Sequence, residues 1–359
     1  MWPNRRIIDL FKIEHPIVLG PMAGVADAAL AIEVCEAGGL GSLPVATINE
    51  QQMREQFAKI RAGTNKPVNL NFFCHQPPVP SNAREHAWRE RLKPYYNELG
   101  IDPTAPIPSS NRTPFDANFC AAVEDLKPEV VSFHFGLPEP ALLKRVKAAG
   151  CLVMSSATTV DEARWLEANG CDAIIAQGVE AGGHRGMFLT DNLATQVGTF
   201  ALVPQVVDAV KVPVIAAGAV TDARGIVAAL ALGASGVQIG TAYLHCPESK
   251  IAPPHRAALK AAKDDGTVLT NLMTGRPARG FINRVMREIG PINSIAPEFP
   301  LAGGALAPLN AKAQSQGSGD FATMWAGQAA ALGQEMPARA LTAKLVSEAQ
   351  ALLRQFTQK

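Results

Sequence analysis

The apolar positions of the chain fall into eight short, mostly continuous runs, each bounded by glycine, proline or polar residues. The runs cover residues 16–20, 40–44, 67–73, 130–136, 152–157, 173–178, 212–218 and 236–241. A strand that is buried on both faces of a parallel sheet has this continuous pattern, whereas a half-exposed strand alternates between apolar and polar positions. The pattern therefore predicts eight buried parallel strands.

Segments with helical spacing lie between most of these runs. The clearest cover residues 28–37, 141–149, 160–169 and 223–232, and each is followed by a glycine: Gly38, Gly150, Gly170 and Gly233. Glycine is common at helix C-termini because it readily adopts the left-handed conformation that ends a helix. The alternation of helix and strand predicts successive βα units with right-handed crossovers.

Eight βα units can close into a barrel or extend as a doubly wound sheet, and the count of eight favours the barrel. The turn after the first run reads GPMAGVAD, which lacks the G-x-G-x-x-G spacing by which a Rossmann fold binds a dinucleotide pyrophosphate. We therefore predict an α/β protein, a (β/α)8 TIM barrel with a helical cap inserted after strand 8.

Two segments lack the alternation of strand and helix that predicts the barrel. Residues 76–115 are rich in proline and include a mixed-charge stretch that predicts an extra helix, and strand patterning stops across residues 246–336. An amphipathic pattern over residues 338–355 predicts a final helix that packs on the barrel. The predicted domains are a barrel of residues 1–245, closed by a C-terminal helix within 337–359, and a helical cap of residues 246–336.

The composition of the 359-residue chain excludes several classes of partner. Lys and Arg number 33 against 32 Asp and Glu, and no basic cluster is present, so we expect no nucleic-acid partner. No apolar stretch reaches the ~20 residues that span a bilayer, and the N-terminus lacks the apolar core of a secretion signal. We expect a cytoplasmic protein without a membrane partner; the sequence leaves its oligomeric state open.

The six cysteines contain no C-x-x-C pair, and most lie in apolar surroundings. This arrangement predicts buried thiols rather than disulfides. The seven histidines also lack the short spacings of zinc ligands, so we expect no metal site.

The active site of a barrel enzyme forms at the carboxyl ends of the strands, where several candidate residues follow the runs. Gly218 and Ala219 follow the seventh run, and Gly240 and Thr241 end the eighth. Barrels commonly bind a phosphate at this place, with backbone N–H groups that glycine leaves accessible. Tight turns alone would also explain the glycines, but their presence in both loops favours a phosphate site.

Polar amides and a small-residue turn surround a space near these loops that a flat ring could fill. Asn71 and Gln177 end the third and sixth runs, and Pro21 and Met22 follow the first. Buried amides need hydrogen-bond partners, which are either each other or a planar heterocycle. Together with the phosphate site, the pattern favours FMN. The candidate cofactor contacts are Pro21, Met22, Asn71, Gln177, Gly182, Gly183, Gly218, Ala219, Gln238, Ile239, Gly240 and Thr241.

His184 is the candidate catalytic base. It lies in the glycine-rich loop after the sixth run, and a neutral imidazole can accept a proton near pH 7. His134, after the fourth run, is a candidate for substrate binding or a hydrogen-bonded core histidine. His75 is more typical of a structural residue, and Glu180 of one that orders the loop.

These motifs resemble those of the nitronate monooxygenase family, formerly called 2-nitropropane dioxygenases, which are FMN-dependent (β/α)8 enzymes. The resemblance spans nearly the whole chain and rests on PIVLGPMAG, PVNLNFFCH, VVSFHFGLP, QGVEAGGHRG, VPVIAAGAV, VQIGTAYL and MWAGQ; NFFCH, SFHFG and EAGGHRG point to the class I branch. It implies flavin contacts at Met22, Asn71, Gln177, Gly182, Gly218, Gln238, Gly240 and Thr241 and a catalytic His184. It also implies the oxidation of alkyl nitronates, such as propionate 3-nitronate, by O2 to a carbonyl compound and nitrite.

The chain departs from the pattern of the family at two places. Gly218 and Ala219 stand where two glycines are usual. Family members of the nitronate-oxidising type carry a Tyr and a Lys after a P-L-A segment, whereas here residues 300–302 run into GGALA at 303–307. A hydroxyl and an ammonium group are natural partners for a small anion, so this segment lacks two expected substrate contacts.

Three alternatives follow from the same residues. An NAD(P)H-dependent quinone or enoyl-thioester reductase would share the barrel, the glycine-rich histidine loop and the phosphate site. A flavin-free lyase or isomerase would use that phosphate site for a sugar phosphate. A non-catalytic binding protein is disfavoured, because polar groups converge at the strand ends of an otherwise apolar chain.

Overall fold

The computed structural model describes residues 2–357 and contains a parallel eight-stranded barrel beside a small antiparallel sheet. The strands are β1 (Ile17–Leu19), β2 (Gly41–Pro44), β3 (Val68–Phe73), β4 (Val130–His134), β5 (Leu152–Ala157), β6 (Ala173–Gln177), β7 (Gly183–His184), β8 (Val214–Ala217), β9 (Gly236–Ile239), β10 (Thr267–Thr270) and β11 (Ala278–Phe281). The barrel order is β1-β9-β8-β6-β5-β4-β3-β2. A parallel bridge between Val18 and Leu40 joins β1 to β2 and closes the barrel.

Fourteen α-helices in the described part of the chain surround and extend the barrel. They are α1 (Arg6–Phe11), α2 (Ala28–Glu36), α3 (Glu50–Gly63), α4 (Asn82–Glu98), α5 (Ala117–Leu126), α6 (Pro140–Ala148), α7 (Val160–Ala168), α8 (Thr199–Ala209), α9 (Ala223–Ala231), α10 (Thr241–Leu244), α11 (Pro253–Lys260), α12 (Arg284–Ile289), α13 (Ala302–Ser315) and α14 (Ala338–Thr357). Side chains of Asp27, Thr159 and Asp222 accept hydrogen bonds from backbone N–H groups at the starts of α2, α7 and α9. These caps satisfy N–H groups that a helix start leaves free.

All eight predicted strands and the four predicted barrel helices are confirmed. Each apolar run contains one barrel strand, and the main hydrophobic core is formed by residues of these strands together with the surrounding helices. The four glycines that mark helix ends have φ angles from 86° to 94°. This left-handed conformation explains why glycine occupies these positions.

The two segments that lack the alternation of strand and helix, residues 76–115 and 246–336, pack against each other. The extra helix of residues 76–115 is α4, and it packs on α13 from the segment after the barrel. Residues of both segments form a second hydrophobic core. Trp88 is fully buried in it, and its indole N–H donates to the carbonyl oxygen of Ala302 at 3.0 Å.

The segment 246–336 is not only helical. It contains β10 and β11, which the strand pattern missed and which pair in antiparallel register. β11 pairs in turn with β7, which lies in the loop after β6. The sequences of β10, TVLT, and of β11, ARGF, are not continuous apolar runs, so the pattern that predicts the barrel strands does not detect them.

The final helix, α14, packs on α2 and α9. The hydroxyl groups of Tyr243 and Thr342 are 2.8 Å apart, and Arg339 forms an ion pair with Glu33 at 2.9 Å. Residue 1 of the predicted barrel and residues 358–359 of the predicted closing segment lie outside the described residues. All six cysteines are free thiols, and five are buried. Among residues 2–357, no helix combines the length and apolarity needed to cross a membrane.

Candidate active site

The loop after β6 carries His184 and is fixed in place by three kinds of contact. His184 and Gly183 pair with Ala278 and Arg279 of β11. The buried guanidinium group of Arg185 donates to the carbonyl oxygens of Gly178 and Gln177, both at 2.7 Å. A Cβ atom on Gly182 would lie 2.6 Å from the backbone of residues 326–327, so the loop lies directly against this segment. The glycine-rich loop is therefore a fixed support for its histidine.

The imidazole ring of His184 is held at the mouth of the barrel. Its Nε2 lies 2.9 Å from Oγ1 of Thr274, a buried residue of the loop between β10 and β11. The rings of Phe299, Trp325 and Phe73 surround it, with centroids 5.3, 5.5 and 5.8 Å away. These contacts fix both the position and the orientation of the ring.

Burial lowers the pKa of His184 well below its ordinary value, and the positive charges of Arg112 and Arg276 lower it further. The guanidinium group of Arg276 lies 4.0 Å from the centroid of the Phe135 ring, and its Nη2 donates to the carbonyl oxygen of Met187. His184 is consequently neutral at neutral pH, as a proton acceptor must be. The surrounding charge is positive and favours an anion.

His134 uses both ring nitrogens within the protein. Its Nε2 donates to the carbonyl oxygen of His184 at 3.1 Å, so its Nδ1 accepts from the hydroxyl of Ser156 at 3.0 Å. Burial lowers its pKa to about 3, which keeps the ring neutral in this arrangement. The structure thus places the substrate-binding candidate behind the backbone of His184.

The two predicted amides also have partners in the protein. Gln177 donates to the carbonyl oxygen of His184 at 3.0 Å and accepts from the N–H of Gly186 at 2.8 Å. Asn71 donates to the hydroxyl of Ser132 at 2.9 Å. Glu180 orders the loop as predicted, because its carboxylate accepts from the N–H and the hydroxyl of Thr199 at the start of α8.

The predicted phosphate-binding loops adopt unusual backbone conformations. Gly218 has φ 118° and Ala219 has φ 55°, so both lie in the left-handed region, where an alanine is strained. A Cβ on Gly218 would lie 2.6 Å from Oγ1 of Thr199, so glycine is required there. Gly240 caps the short α10, and the N–H of Gly20 donates to the carbonyl oxygen of Ile239 at 2.7 Å. The ends of β1 and β9 therefore lie side by side.

This end of the barrel fits a flat heterocycle with a phosphate group. Oε1 of Gln238 is buried and has no hydrogen-bond partner among the described residues. A buried amide oxygen without a partner is unfavourable, and a ring N–H of a bound heterocycle would satisfy it. A Cβ on Gly240 would meet nothing closer than Sδ of Met22 at 3.5 Å, which leaves space beside this backbone. The N–H of Gly327 donates to Oγ1 of Thr241 at 2.9 Å and fixes the adjacent turn.

Sequence reasoning missed the residues that surround His184 from outside the barrel. Thr274, Arg276, Phe299 and Trp325 come from the segment after the barrel, and Arg112 comes from the excursion between β3 and β4. Their only sequence signal was the MWAGQ motif, which includes Trp325. The other four lie in stretches without a recognised motif, and only the fold brings them to the site.

A family profile and curated relatives identify one family over nearly the full chain. A profile of the family described as nitronate monooxygenase matches residues 4–348. The nitronate monooxygenase of Paraburkholderia phytofirmans is 42% identical over 99% of this chain and 98% of its own length. That of Pseudomonas aeruginosa is 41% identical over 96% of this chain and 98% of its own. The structure of a nitroalkane oxidase from Streptomyces ansochromogenes is similar with a TM-score of 0.88 and 36% identity, covering 98% of this chain and 99% of that one.

Proposed function

The chain belongs to the nitronate monooxygenase family of oxidoreductases, and we propose that it uses FMN and O2 to oxidise alkyl nitronates to a carbonyl compound and nitrite. The observation that carries this proposal is the neutral, partly buried His184, which faces positive charge and lies on the loop after β6. A neutral base suits a nitroalkane that must lose a proton, and the positive charge suits the nitronate anion that results.

The residues at the ends of β1, β8 and β9 fit FMN. Backbone N–H groups of residues 218–219 and 240–241 would bind its phosphate, with Gly218 and Gly240 allowing close approach. Gln238 would accept from a ring N–H, and Met22 would contact the ring system. The bound flavin supplies the redox chemistry, and the protein supplies position and electrostatics.

His184 accepts the proton. The hydroxyl of Thr274 donates to the carbonyl oxygen of Arg276 at 3.4 Å, which leaves its oxygen free to accept from the Nε2–H of His184 at 2.9 Å. This tautomer puts the lone pair on Nδ1. A neutral nitroalkane therefore loses its α-proton to Nδ1, and the electron pair of the broken C–H bond moves onto the nitro group to give the nitronate.

Two further groups of residues serve the bound anion. The guanidinium groups of Arg112 and Arg276 provide positive charge near His184, and that of Arg276 stabilises the negative nitronate oxygens. The rings of Phe73, Phe135 and Phe299 form an apolar wall around the imidazole, and this wall limits access of water. Electrostatic interactions are stronger where water is excluded.

The proposal is tested by mixing the purified yellow protein with one reductant at a time. Under anaerobic conditions, propionate 3-nitronate should change the flavin absorbance near 450 nm within the turnover time, and NADH or NADPH should not. In air, the same substrate should consume O2 and release nitrite. Bleaching by NADH or NADPH alone would instead assign the chain to the reductase alternative. A colourless protein that cannot be loaded with FMN would refute the cofactor.

A further inference from the structure

A cavity of about 230 Å³ lies beside the aromatic wall around His184. Residues 108–112 form one side of it, and the first turns of α13 form the other. Met273 and Pro300 also line it, and these residues directly precede Thr274 and follow Phe299, both of which contact His184. The cavity therefore lies next to the residues that contact the proposed base, and Arg112, which lines it, acts electrostatically on His184.

The wall formed by α13 carries no polar side chain near its start. A Cβ on Gly303 would lie 2.6 Å from the carbonyl oxygen of Met273, and one on Gly304 would lie 2.5 Å from the side chain of Ile107. Larger residues at either position would collide with the neighbouring segments. The sequence GGALA therefore lets α13 pack closely, and the hydroxyl and ammonium groups expected here from the family pattern have no counterpart among residues 303–307.

The positively charged group that lines the cavity comes from the side opposite α13. The side chain of Arg112 lines the cavity and is partly buried, and within residues 2–357 its guanidinium group makes no hydrogen bond or ion pair. The other two arginines beside His184 differ in this respect. Arg185 donates three hydrogen bonds, and Arg276 lies over Phe135 and donates to Met187 through Nη2, although its Nε is buried without a partner among the described residues. Oδ1 of Asn310, across the cavity, is buried and has no hydrogen-bond partner in the described part of the chain.

A desolvated guanidinium group without a partner is costly to keep, and a carboxylate is its best-matched ligand, because two parallel N–H···O bonds can form. The backbone of Arg112 is fixed by its neighbours: Asn111 donates to the carbonyl oxygen of Thr47 at 2.8 Å, and the N–H of Phe115 donates to that of Phe73 at 2.8 Å. The guanidinium group is thus presented to the cavity from an anchored segment.

We propose that Arg112 is a specificity-determining residue, which binds a carboxylate at the far end of the substrate while the nitro end lies at His184. This inference rests on the proposed function and deepens it, because it selects nitronates with a terminal carboxylate over nitronates of the same length with an alkyl end. The positive charge lost from α13 is supplied by the loop between β3 and β4.

A matched pair of substrates tests the proposal. Propionate 3-nitronate and propyl 1-nitronate share the reacting end and differ in a carboxylate against a methyl group. In the FMN-loaded enzyme, Arg112→Met should lower the ratio of their kcat/KM values about 10- to 100-fold, the range expected for a lost hydrogen-bonded charge pair. Arg112→Lys keeps the charge without the planar fork and should retain an intermediate ratio. An unchanged ratio in Arg112→Met, whether both values fall together or neither falls, would overturn the proposal.

A binding measurement separates this inference from the proposed function. Calorimetric titration of the loaded enzyme should give tighter binding of 3-nitropropionate than of 1-nitropropane, and Arg112→Met should remove the preference. If the wild-type enzyme oxidises neither nitronate, the proposed function fails, and the titration still decides whether Arg112 binds a carboxylate. Equal affinities of the wild-type enzyme for 3-nitropropionate and 1-nitropropane would overturn the assignment of Arg112 as a carboxylate-binding residue. Circular dichroism of each variant checks that it folds, and Arg112→Lys decides the question if Arg112→Met does not.

Discussion

The internal position of His134 makes a quantitative prediction about stability in acid. Its Nδ1 accepts from Ser156 and its Nε2 donates to the carbonyl oxygen of His184, so the folded protein holds the neutral ring, with a pKa lowered to about 3 from 6.5. The unfolded chain therefore binds a proton that the folded chain excludes between pH 6.5 and 3. The free energy of unfolding contributed by this residue is complete above pH 6.5 and is lost as the pH falls below it. At pH 5, 1.5 units below the unfolded pKa, the loss is about 2 kcal/mol.

The variant His134→Gln isolates this contribution. A glutamine amide can still donate to one partner and accept from the other, but it does not titrate. Urea unfolding gives the free energy of unfolding of both proteins at pH 7 and at pH 5, and the change with pH is then compared between them. Contributions of other buried histidines, such as His75 and His255 with pKa values of about 4, are the same in both proteins and cancel in this comparison. The wild type should lose about 2 kcal/mol more than His134→Gln on going from pH 7 to pH 5. An equal loss in both proteins would show that His134 is not buried in its neutral form, and the account of the loop would be wrong.

Four further predictions concern the site itself. His184→Asn should retain the flavin absorbance but lower kcat/KM for neutral nitroalkanes by about 100-fold or more. The kcat/KM for preformed nitronates should fall less, because these substrates need no proton removal. Equal losses for both kinds of substrate would show that His184 is not the base. Since burial and positive charge lower the pKa of His184, the acid limb of the wild-type kcat/KM profile for nitroalkanes should lie below pH 6.5. Gly240→Ala should leave the melting temperature of the cofactor-free protein unchanged, because the new Cβ would be 3.5 Å from Sδ of Met22. The same variant should raise the dissociation constant of FMN. Normal FMN affinity would contradict the proposed position of the phosphate beside Gly240. Thr274→Val should lower kcat/KM at least tenfold by releasing His184, whereas Thr274→Ser keeps the hydroxyl and should stay close to wild type.

The barrel could be predicted because each of its units leaves a local pattern. A strand buried on both faces needs a continuous apolar run, and a helix that ends against the next strand needs a residue that tolerates positive φ, as Gly150 and Gly170 do. His184 could be predicted because strand ends converge at one face of a barrel, so a titratable residue after a strand is placed by topology alone. Such inferences need no knowledge of long-range contacts.

The remaining parts of the site depend on contacts between distant segments. Thr274 is an ordinary turn residue until the pairing of β7 with β11 brings it to the imidazole. Gln177 and His134 were recognised as polar groups at strand ends, but their partners could not be known. The carbonyl oxygen that both contact belongs to a loop whose path is set by β11 and by residues 326–327. Pattern identifies which side chains are available, and the fold decides which of them remain free for a ligand.

The cavity beside His184 shows why an absent residue is weaker evidence than a present one. From the sequence, the segment after Pro300 lacked a hydroxyl and an ammonium group that were expected to contact the substrate. In the fold, the glycines at 303 and 304 bring α13 against Met273 and Ile107, while Arg112, almost 200 positions earlier, faces the same space. A recognition site needs charge at a point in space, and any segment that reaches this point can supply it. The substitutions in α13 therefore change which backbone carries the cation, and a guanidinium group in place of a hydroxyl and an ammonium favours a planar carboxylate.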